Sequence, residues 1–407
     1  MKKIYEDIIG VLKCSRREYK KKKRVEREIK EAVVLKIVET TKKIEDAVYS
    51  VSPETYESLP IPKIWGINEV SIINKYFPEL KMYKFYDAET NIKADWVIQN
   101  NKVIWDKYFM QQFNITIVCD YGVIKTENGN LLLRKEVFEN DVVEADIGYS
   151  LGGVQCDHWG HFSLQYLPKL YEIPKILEYL KGKKLTVFVP SYGDKQIERV
   201  VYEYLKQFKQ IEIVKVRMRT RIKCKELFYM NKASYIMEHS HYYTRATWNL
   251  STYSAEALKK NFLKDIEKYD EDRRMKIYLD RPFGMHRRMK NGEQIRKYFE
   301  EEGFTVIEDG GRMSLEEKIK LYRNASFLAG PEGTAFMNVI FCRPNTKILK
   351  FASYVTAENE FMSGFYDKHW GLETVLVCAY DDNTGEPHED YTIPLELVKE
   401  AYNEIKM

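Results

Sequence analysis

Residues 325–342 read ASFLAGPEGTAFMNVIFC, and this stretch decides the fold. Its first part, Ser326–Ala329, is short and largely apolar, which predicts a buried strand. The helix predicted for Thr334–Cys342 follows a turn that contains Gly330 and Gly333. Glycine lets the backbone approach a neighbouring segment or a ligand closely, so the turn is also a candidate binding element. A strand that leads through such a turn into a helix is typical of α/β proteins.

The same alternation continues on both sides of this stretch. Short apolar runs predict strands, and the segments between them have apolar residues at helical spacing. Ser314 and Glu317 form a capping-box pattern, which marks the start of a helix that runs to Asn324. Alternation at this spacing predicts parallel sheets with right-handed crossovers. The predicted strands are Leu185–Val189, Ile211–Val216, Leu227–Met230, Lys276–Leu279, Phe304–Ile307 and Lys347–Phe351, and the predicted helices include Gln196–Phe208, Ser251–Tyr269 and Gly292–Glu302.

The first part of the chain has a different pattern. Residues 1–50 read as helix, and the prolines at positions 53, 60 and 62 then mark a linker. Residues 80–150 favour strands, and Asn128-Gly129 is typical of a tight hairpin turn. The strands predicted here are Trp96–Gln99, Val103–Trp105, Thr116–Cys119, Val123–Lys125 and Leu131–Leu133.

The length predicts more than one domain. At 407 residues the chain is too long for one ordinary hydrophobic core, so we expect two doubly wound α/β domains. A helical extension is predicted over residues 1–52. An N-terminal α/β domain with a β-rich start is predicted over 53–250, and a C-terminal α/β domain over 251–407.

The composition excludes several classes of protein. A formal net charge of +4 does not provide the strongly basic face of a dedicated nucleic-acid binder. The six cysteines have the spacing of neither a disulfide framework nor a zinc site, which favours a reducing compartment. The N-terminus does not read as a signal peptide, and no apolar run approaches the ~18 residues of a membrane span. We therefore expect a cytoplasmic protein.

The basic run Lys20–Arg24 leaves two interpretations open. One is a solvated helix face, and the other is peripheral contact with the anionic inner face of the membrane. Homodimerisation through residues 1–52 is a further open alternative.

Two features of the C-terminal half suit a phosphate. Backbone amides at the start of the helix after Gly333 are available to hold an anion. The loop after the strand Lys276–Leu279 carries arginines, and guanidinium groups bind diphosphates through paired hydrogen bonds. Both features follow strands of a parallel sheet, where α/β proteins bind ligands; an ordinary turn and a solvated basic loop are the alternatives. The predicted ligand-binding residues are Arg281, Arg287, Arg288, Asn291, Gly330, Glu332, Gly333, Thr334 and Asn338.

A third segment, Gly152–Phe162, contains groups that accept protons. A neutral histidine or a carboxylate takes a proton from a hydroxyl near pH 7, and Asp157, His158 and His161 are the candidates here. Trp159 offers a flat face that suits stacking on a sugar ring. A metal site that includes both histidines, and a helix start with buried histidines, are the alternatives.

These segments, in this order, resemble glycosyltransferase family 61. The resemblance covers roughly residues 145–355 and implies a glycosyltransferase-B-like fold, in which two doubly wound domains face a cleft. It also implies inversion at the anomeric carbon and no obligatory metal. The commonest form of the glycine turn in the family has His at the position of Glu332. The matching positions are Asp157–Phe162, Leu167-Pro168, Arg281, Arg287-Arg288, Asn291, Gly303-Phe304, Leu315, Gly330–Ala335, Asn338 and Phe341.

The resemblance implies transfer of a sugar from a nucleotide-sugar donor to a glycan acceptor. A UDP-sugar is the favoured donor, the transferred group is of hexosyl or N-acetylhexosaminyl type, and no further cofactor is expected. The expected role is capsular or other surface polysaccharide biosynthesis. His161 is favoured as the general base over His158 and Asp157, and Trp159 is expected to contact the acceptor. The alternative is a non-catalytic nucleotide- or sugar-binding component of a polysaccharide assembly complex.

Overall fold

A computed structural model describes the chain at residues 23–24, 27–28, 30–39, 46–65, 71–105, 122–234, 248–281, 288–308, 313–353, 357, 359–379 and 390–406. The strands are β1 (Val33–Glu39), β2 (Ala47–Ser52), β3 (Thr55–Ile61), β4 (Lys63–Ile64), β5 (Ser71–Phe77), β6 (Leu80–Asn91), β7 (Val97–Gln99), β8 (Lys102–Trp105), β9 (Val123–Glu127), β10 (Asn130–Leu133), β11 (Val142–Ser150), β12 (Leu185–Pro190), β13 (Ile211–Val216), β14 (Arg221–Met230), β15 (Met275–Asp280), β16 (Thr305–Glu308), β17 (Ala325–Pro331), β18 (Lys347–Ser353) and β19 (Glu373–Ala379).

The helices follow the same numbering. The α-helices are α1 (Trp159–His161), α2 (Leu167–Leu170), α3 (Ile173–Leu180), α4 (Lys195–Leu205), α5 (Thr252–Ala257), α6 (Gly292–Glu301), α7 (Leu315–Arg323), α8 (Ser363–Trp370) and α9 (Leu395–Ile405). Shorter 3-10 helices cover Lys135–Phe138, Ile266–Tyr269, Thr334–Phe341 and Asn359–Met362, and π turns cover Phe162–Tyr166 and Leu258–Phe262.

The larger sheet combines parallel and antiparallel strands. Its order is β13-β12-β11-β14-β6-β7-β8-β1-β10-β9, and β2 pairs with β6. The first four strands of this order pair in parallel, and β6 then pairs with β14 in the antiparallel sense. The β-rich start of the chain therefore extends the same sheet that contains the parallel strands.

The second sheet is parallel throughout. Its order is β16-β15-β17-β18-β19-β4, and each neighbouring pair is parallel. A separate two-stranded sheet pairs β3 with β5. One hydrophobic cluster contains Val187 of the larger sheet and Ile277 and Leu328 of the second, together with side chains of the connecting helices. The α/β class predicted from the strand and helix alternation is therefore confirmed.

Several local predictions are confirmed in detail. β9 and β10 form an antiparallel hairpin around Asn128 and Gly129, whose φ angles are 49° and 75°. Two consecutive residues with positive φ are what a two-residue hairpin turn of this type requires. The side chain of Ser314 accepts from the amide of Glu317 and the Glu317 side chain accepts from the amide of Ser314, so α7 begins with the predicted capping box.

The prediction of helix throughout residues 1–50 is wrong for part of this range. The residues described between 23 and 30 are helical, but Val33–Glu39 and Ala47–Ser52 are strands. β1 lies between β8 and β10, and its β-branched residues fit a pleated surface better than a helix. The remainder of the predicted extension, with most of the basic run, lies outside the described residues, as does the predicted strand Thr116–Cys119.

Two further elements differ from their predictions. The helix predicted over Ser251–Tyr269 is divided into α5, the π turn Leu258–Phe262 and the 3-10 helix Ile266–Tyr269. The short strand Lys63–Ile64 pairs with β19, so a segment predicted for the N-terminal domain joins the sheet of the C-terminal half. None of the helices in the described ranges has both the length and the apolar composition of a membrane span.

Candidate functional site

The strand orders contain two points at which a ligand-binding crevice is expected. In the larger sheet, β11 lies between β12 on one side and β14 on the other. In the second sheet, β15 lies between β16 and β17. In open α/β sheets, ligands bind outside the carboxyl ends of the strands at the point where the order changes direction. The segments predicted to be functional begin at these carboxyl ends. Their loops start at Leu151 after β11, at Arg281 after β15 and at Glu332 after β17.

The glycine turn lies directly against the strand that precedes the arginine loop. Gly330 has a φ of +152°, and a Cβ at this position would overlap the backbone oxygen of Leu279 in β15. Arg281 Nη1 donates to the backbone oxygen of Glu332 over 2.6 Å. The same guanidinium nitrogen lies 3.5 Å from the position that a Cβ on Gly333 would occupy. The positively charged guanidinium of Arg281 is therefore held against the glycine turn.

The helix after the turn begins beside the guanidinium of Arg281. The helix predicted over Thr334–Cys342 is present as a 3-10 helix over Thr334–Phe341, and no side chain caps its start at Gly333. Unsatisfied amides at a helix start and an adjacent guanidinium form a suitable environment for a phosphate. Asn338 is buried within this helix; its Nδ2 donates to Ala335 O over 3.2 Å, and its Oδ1 has no hydrogen-bond partner within the described ranges.

Other predicted ligand-binding residues make contacts that support the chain itself. Arg288 forms an ion pair with Asp390 over 3.1 Å. Asn291 donates to the backbone oxygen of Ile393 over 2.7 Å and accepts from the amide of the same residue. Arg287 lies outside the described residues. Of the two predicted arginines that the structure describes, Arg281 lies at the turn and Arg288 pairs with Asp390.

The close approach at Gly330 leads to a stability prediction. Replacing Gly330 with Ala is expected to destabilise the fold by more than the ~1–3 kcal/mol of backbone strain, since the new methyl group also overlaps a strand backbone. Urea denaturation of the full chain measures this loss. Gly182→Ala is the matched control because Gly182 has a φ of +93° but open space around its Cβ position. Equal losses in the two variants would contradict the close approach.

The third predicted segment forms the start of a helix. His158 is the exposed residue before α1, and Asp157 is half-buried. The indole of Trp159 lies 6.2 Å from the ring of Phe162, 5.9 Å from that of Phe262 and 6.3 Å from that of Phe341, measured between centroids. The structure therefore places Trp159 within an aromatic cluster, and its contact with an acceptor stays a prediction.

His161 occupies a site that disfavours its charged form. Its Nδ1 lies 2.7 Å from Gln165 Oε1. Burial is the largest effect and lowers the pKa of His161 to about 4; the nearby Lys232 and His158 also lower it, whereas Gln165 and Asp157 oppose the shift. The imidazole is therefore neutral near pH 7, as a general base must be.

A buried ion pair beside this histidine was not predicted from the sequence. Lys232 Nζ donates to Asp95 Oδ2 over 2.7 Å, and the side chains of both residues are only 7% exposed. Lys169 lies 3.9 Å from the other carboxylate oxygen. The amide of Val154, in the loop after β11, donates to Asp95 over 3.4 Å. The one feature of the sequence that pointed to this ion pair was the position of Lys232 just after β14.

The two candidate segments contact each other. A Cβ on Gly160 would lie 3.0 Å from the side chain of Met337, so α1 packs closely on the helix after the glycine turn. Gln196 Nε2, at the start of α4, donates to the backbone oxygen of Met313, just before α7. The structure thus brings α1, which carries His161, into contact with the helix that follows the glycine turn. In the described part of the chain, no three His, Cys, Asp or Glu side chains cluster as metal ligands do.

Comparison with known proteins gives a match to a family model over part of the chain. Residues 159–349 match the family model described as Glycosyltransferase 61. This range includes α1, the arginine loop and the glycine turn. The chain matches none of the curated proteins with which it was compared. Residues 159–349 are therefore similar to glycosyltransferase family 61, and this similarity supports glycosyltransferase activity in general.

Proposed function

We propose that the protein is an inverting glycosyltransferase that moves a sugar from a nucleoside-diphosphate donor to a hydroxyl of a glycan acceptor. The observation that carries this proposal is the direct packing of α1, which bears His161, on the helix that begins at the glycine turn. In this proposal the two parallel strand sets form the two halves of a glycosyltransferase-B-like arrangement, and the donor lies between them.

The donor half uses Arg281 and the amides of Gly333 and Thr334. Together they oppose the negative charge that develops on the diphosphate as the bond to the sugar breaks. The contact between Arg281 and the backbone oxygen of Glu332 fixes the guanidinium before the donor arrives, so less reorganisation is needed during the reaction. A UDP-sugar is the donor that we propose to test first, with a hexosyl or N-acetylhexosaminyl group.

The acceptor half supplies the base. His161 accepts the proton of the acceptor hydroxyl as the oxygen forms a bond to the anomeric carbon. The bond from that carbon to the diphosphate oxygen breaks on the opposite face, and the nucleoside diphosphate leaves with the electron pair. A bound diphosphate also raises the pKa of the nearby imidazole, since an anion favours the charged form. The base therefore becomes stronger when the donor is present.

The biological setting of this reaction belongs to the same proposal. We place the transfer in the cytoplasm, in the biosynthesis of capsular or another surface polysaccharide. His158 and Asp157 are the remaining candidates for the base, and the variants described in the Discussion distinguish them.

A donor screen tests the proposed function. Ligands that bind the folded protein raise its stability by RT ln(1 + [L]/Kd), so UDP, GDP, CMP and dTDP sugars are compared by thermal denaturation. The stabilising donor is then incubated with glycan acceptors, and NMR of the product determines the anomeric configuration. Inversion supports the proposal, whereas retention of configuration, or binding without transfer to any acceptor, contradicts it.

The role of Arg281 leads to a binding prediction. Arg281→Ala is expected to weaken the affinity for the donor nucleotide about 10–10²-fold, because a hydrogen bond to a charged group contributes about 1.5–3 kcal/mol. Isothermal titration with UDP, or with the nucleotide that the screen identifies, measures the change. Arg199→Ala removes the same charge from a side chain that is 75% exposed on α4 and serves as the control. Unchanged affinity in Arg281→Ala would refute the donor role.

A further inference from the structure

Gln165 connects His161 to the loop that follows β14. It lies in the π turn Phe162–Tyr166 and is only 1% exposed. Its Oε1 is 2.7 Å from His161 Nδ1, and its Nε2 donates to the backbone oxygen of Ser234 over 3.0 Å. Turns of π-helix are often found at functional sites, so this contact is a candidate for a role beyond packing.

The contact with Ser234 determines the orientation of the Gln165 amide. A backbone oxygen only accepts hydrogen bonds, so the NH₂ group of Gln165 must face Ser234. The amide oxygen then faces His161, and an oxygen accepts as well. The hydrogen between Gln165 and His161 must therefore come from the histidine, on Nδ1.

This orientation is fixed by buried neighbours. Ser234 Oγ lies 2.8 Å from Ser254 Oγ and accepts from the amide of Ser251 over 3.1 Å, and all three serines are buried. These contacts tie Ser234 to the start of α5. A rotated Gln165 amide would place two oxygens against each other, which a buried site does not tolerate. The network therefore has one consistent arrangement of donors and acceptors.

A neutral imidazole carries one N–H, so a proton on Nδ1 leaves Nε2 with a free lone pair. Burial and the charge of Lys232 both favour the neutral ring, and the other titratable groups that act on it are His158 and Asp157. Nε2 has no hydrogen-bond partner among the residues that the structure describes.

We propose that Gln165, held by the backbone oxygen of Ser234, is a positioning residue that keeps the proton of His161 on Nδ1 and so makes Nε2 the proton-accepting atom. The proposal rests on the proposed function of His161 as the base. A purely structural role for Gln165 would affect stability, but it would change neither the tautomer of His161 nor the pH dependence of transfer.

The tautomer is measured directly by NMR. The full chain is labelled with 15N-histidine, and the His161 signals are assigned by their loss in His161→Ala. At pH 7 we expect Nδ1 to show the shift of a protonated nitrogen and Nε2 that of an unprotonated one. In Gln165→Met we expect the proton to be distributed over both nitrogens or to move to Nε2. If His161 of the wild-type chain is protonated on Nε2, the proposal is overturned by that result alone, and no Gln165 variant is needed.

Kinetics provide the second readout. Gln165→Met is expected to lower kcat about 10–10²-fold, as loss of a supporting hydrogen bond behind a functional group commonly does, with the donor KM unchanged. Gln165→Glu keeps an acceptor for Nδ1 and adds a negative charge, which raises the pKa of His161. As the pH is lowered, this variant should therefore lose its transfer activity at a higher pH than the wild type does.

A matched control and separate readouts keep the outcomes distinct. Gln99→Met removes another glutamine that donates to a backbone oxygen, that of Tyr86 over 2.9 Å, far from this site in the chain. An unchanged His161 tautomer in Gln165→Met overturns the positioning role. If His161→Ala retains full transfer activity, the proposed function of His161 fails, yet the tautomer measurement still decides what Gln165 does.

Discussion

Replacing His161 with Ala is expected to lower kcat about 10²–10⁴-fold, the usual effect of losing a general base. The donor KM should stay close to the wild-type value, because the proposed diphosphate contacts belong to the other half of the site. Transfer is measured with saturating acceptor over a range of donor concentrations. Comparing the melting temperatures of variant and wild type excludes unfolding as the cause of the loss.

The pH dependence provides a second expectation for the same residue. His161 must be unprotonated to act, and its lowered pKa of about 4 keeps it so well below neutrality. Acidification from pH 7 to about 5 should therefore cost little of kcat/KM for the donor, which reports the ionisation of the free protein, and the loss should begin only near the folded-state pKa. A histidine with its ordinary pKa of ~6.5 would lose activity already near pH 6.5.

His158→Ala and Asp157→Asn complete this comparison. Near-wild-type kcat in His161→Ala together with a large loss in one of these two would contradict the choice of base and identify the alternative. Equal small losses in all three variants would contradict a base in this segment altogether.

Replacing Asp95 with Asn is expected to destabilise the protein by about 3–5 kcal/mol, because it leaves Lys232 and Lys169 buried without their carboxylate. The free energy of unfolding is measured by urea denaturation. Asp146→Asn is the matched control, since its ion pair with Lys225 over 2.6 Å joins two side chains that are 79% and 77% exposed. Exposed pairs of this kind contribute little, so the control should unfold near the wild-type midpoint.

The sign of the pH effect follows from the direction of the pKa shift. Burial favours the neutral acid, but Lys232 and Lys169 outweigh it and lower the pKa of Asp95. The stabilisation is therefore present above the ordinary aspartate pKa and is lost as the pH falls below it. Asp95→Asn should show a weaker loss of stability on acidification than the wild type. A wild-type unfolding midpoint in Asp95→Asn would contradict the structural importance of this pair.

The sequence was sufficient for elements that are determined locally. The strands β13 and β15, the hairpin at Asn128-Gly129 and the capping box of α7 each depend on residues within a few positions of one another. These elements were therefore predicted with the correct type and nearly the correct bounds. Local composition also drew attention to the glycine turn and to the segment around His161, whose chemical roles stay predictions.

The strand and the side-chain contacts that the sequence analysis missed depend on pairing between residues far apart in the chain. Val33–Glu39 becomes a strand because β8 and β10, far along the chain, provide its partners, and local composition contains no record of them. Asp95 and Lys232 are 137 positions apart, and Gln165 is 69 positions from the Ser234 oxygen that orients it. Each of these residues alone looks like an ordinary polar residue.

Photo-crosslinking tests most directly whether α1 and the glycine turn form one reaction centre. A donor analogue with a photoreactive group on its sugar, of the nucleotide that the thermal screen selects, is irradiated with the full chain, and the adducts are mapped by mass spectrometry. We predict adducts both within residues 155–166 and within residues 333–338, suppressed by excess unlabelled nucleotide diphosphate. Competable adducts in only one of these segments, or in neither, would contradict a shared site.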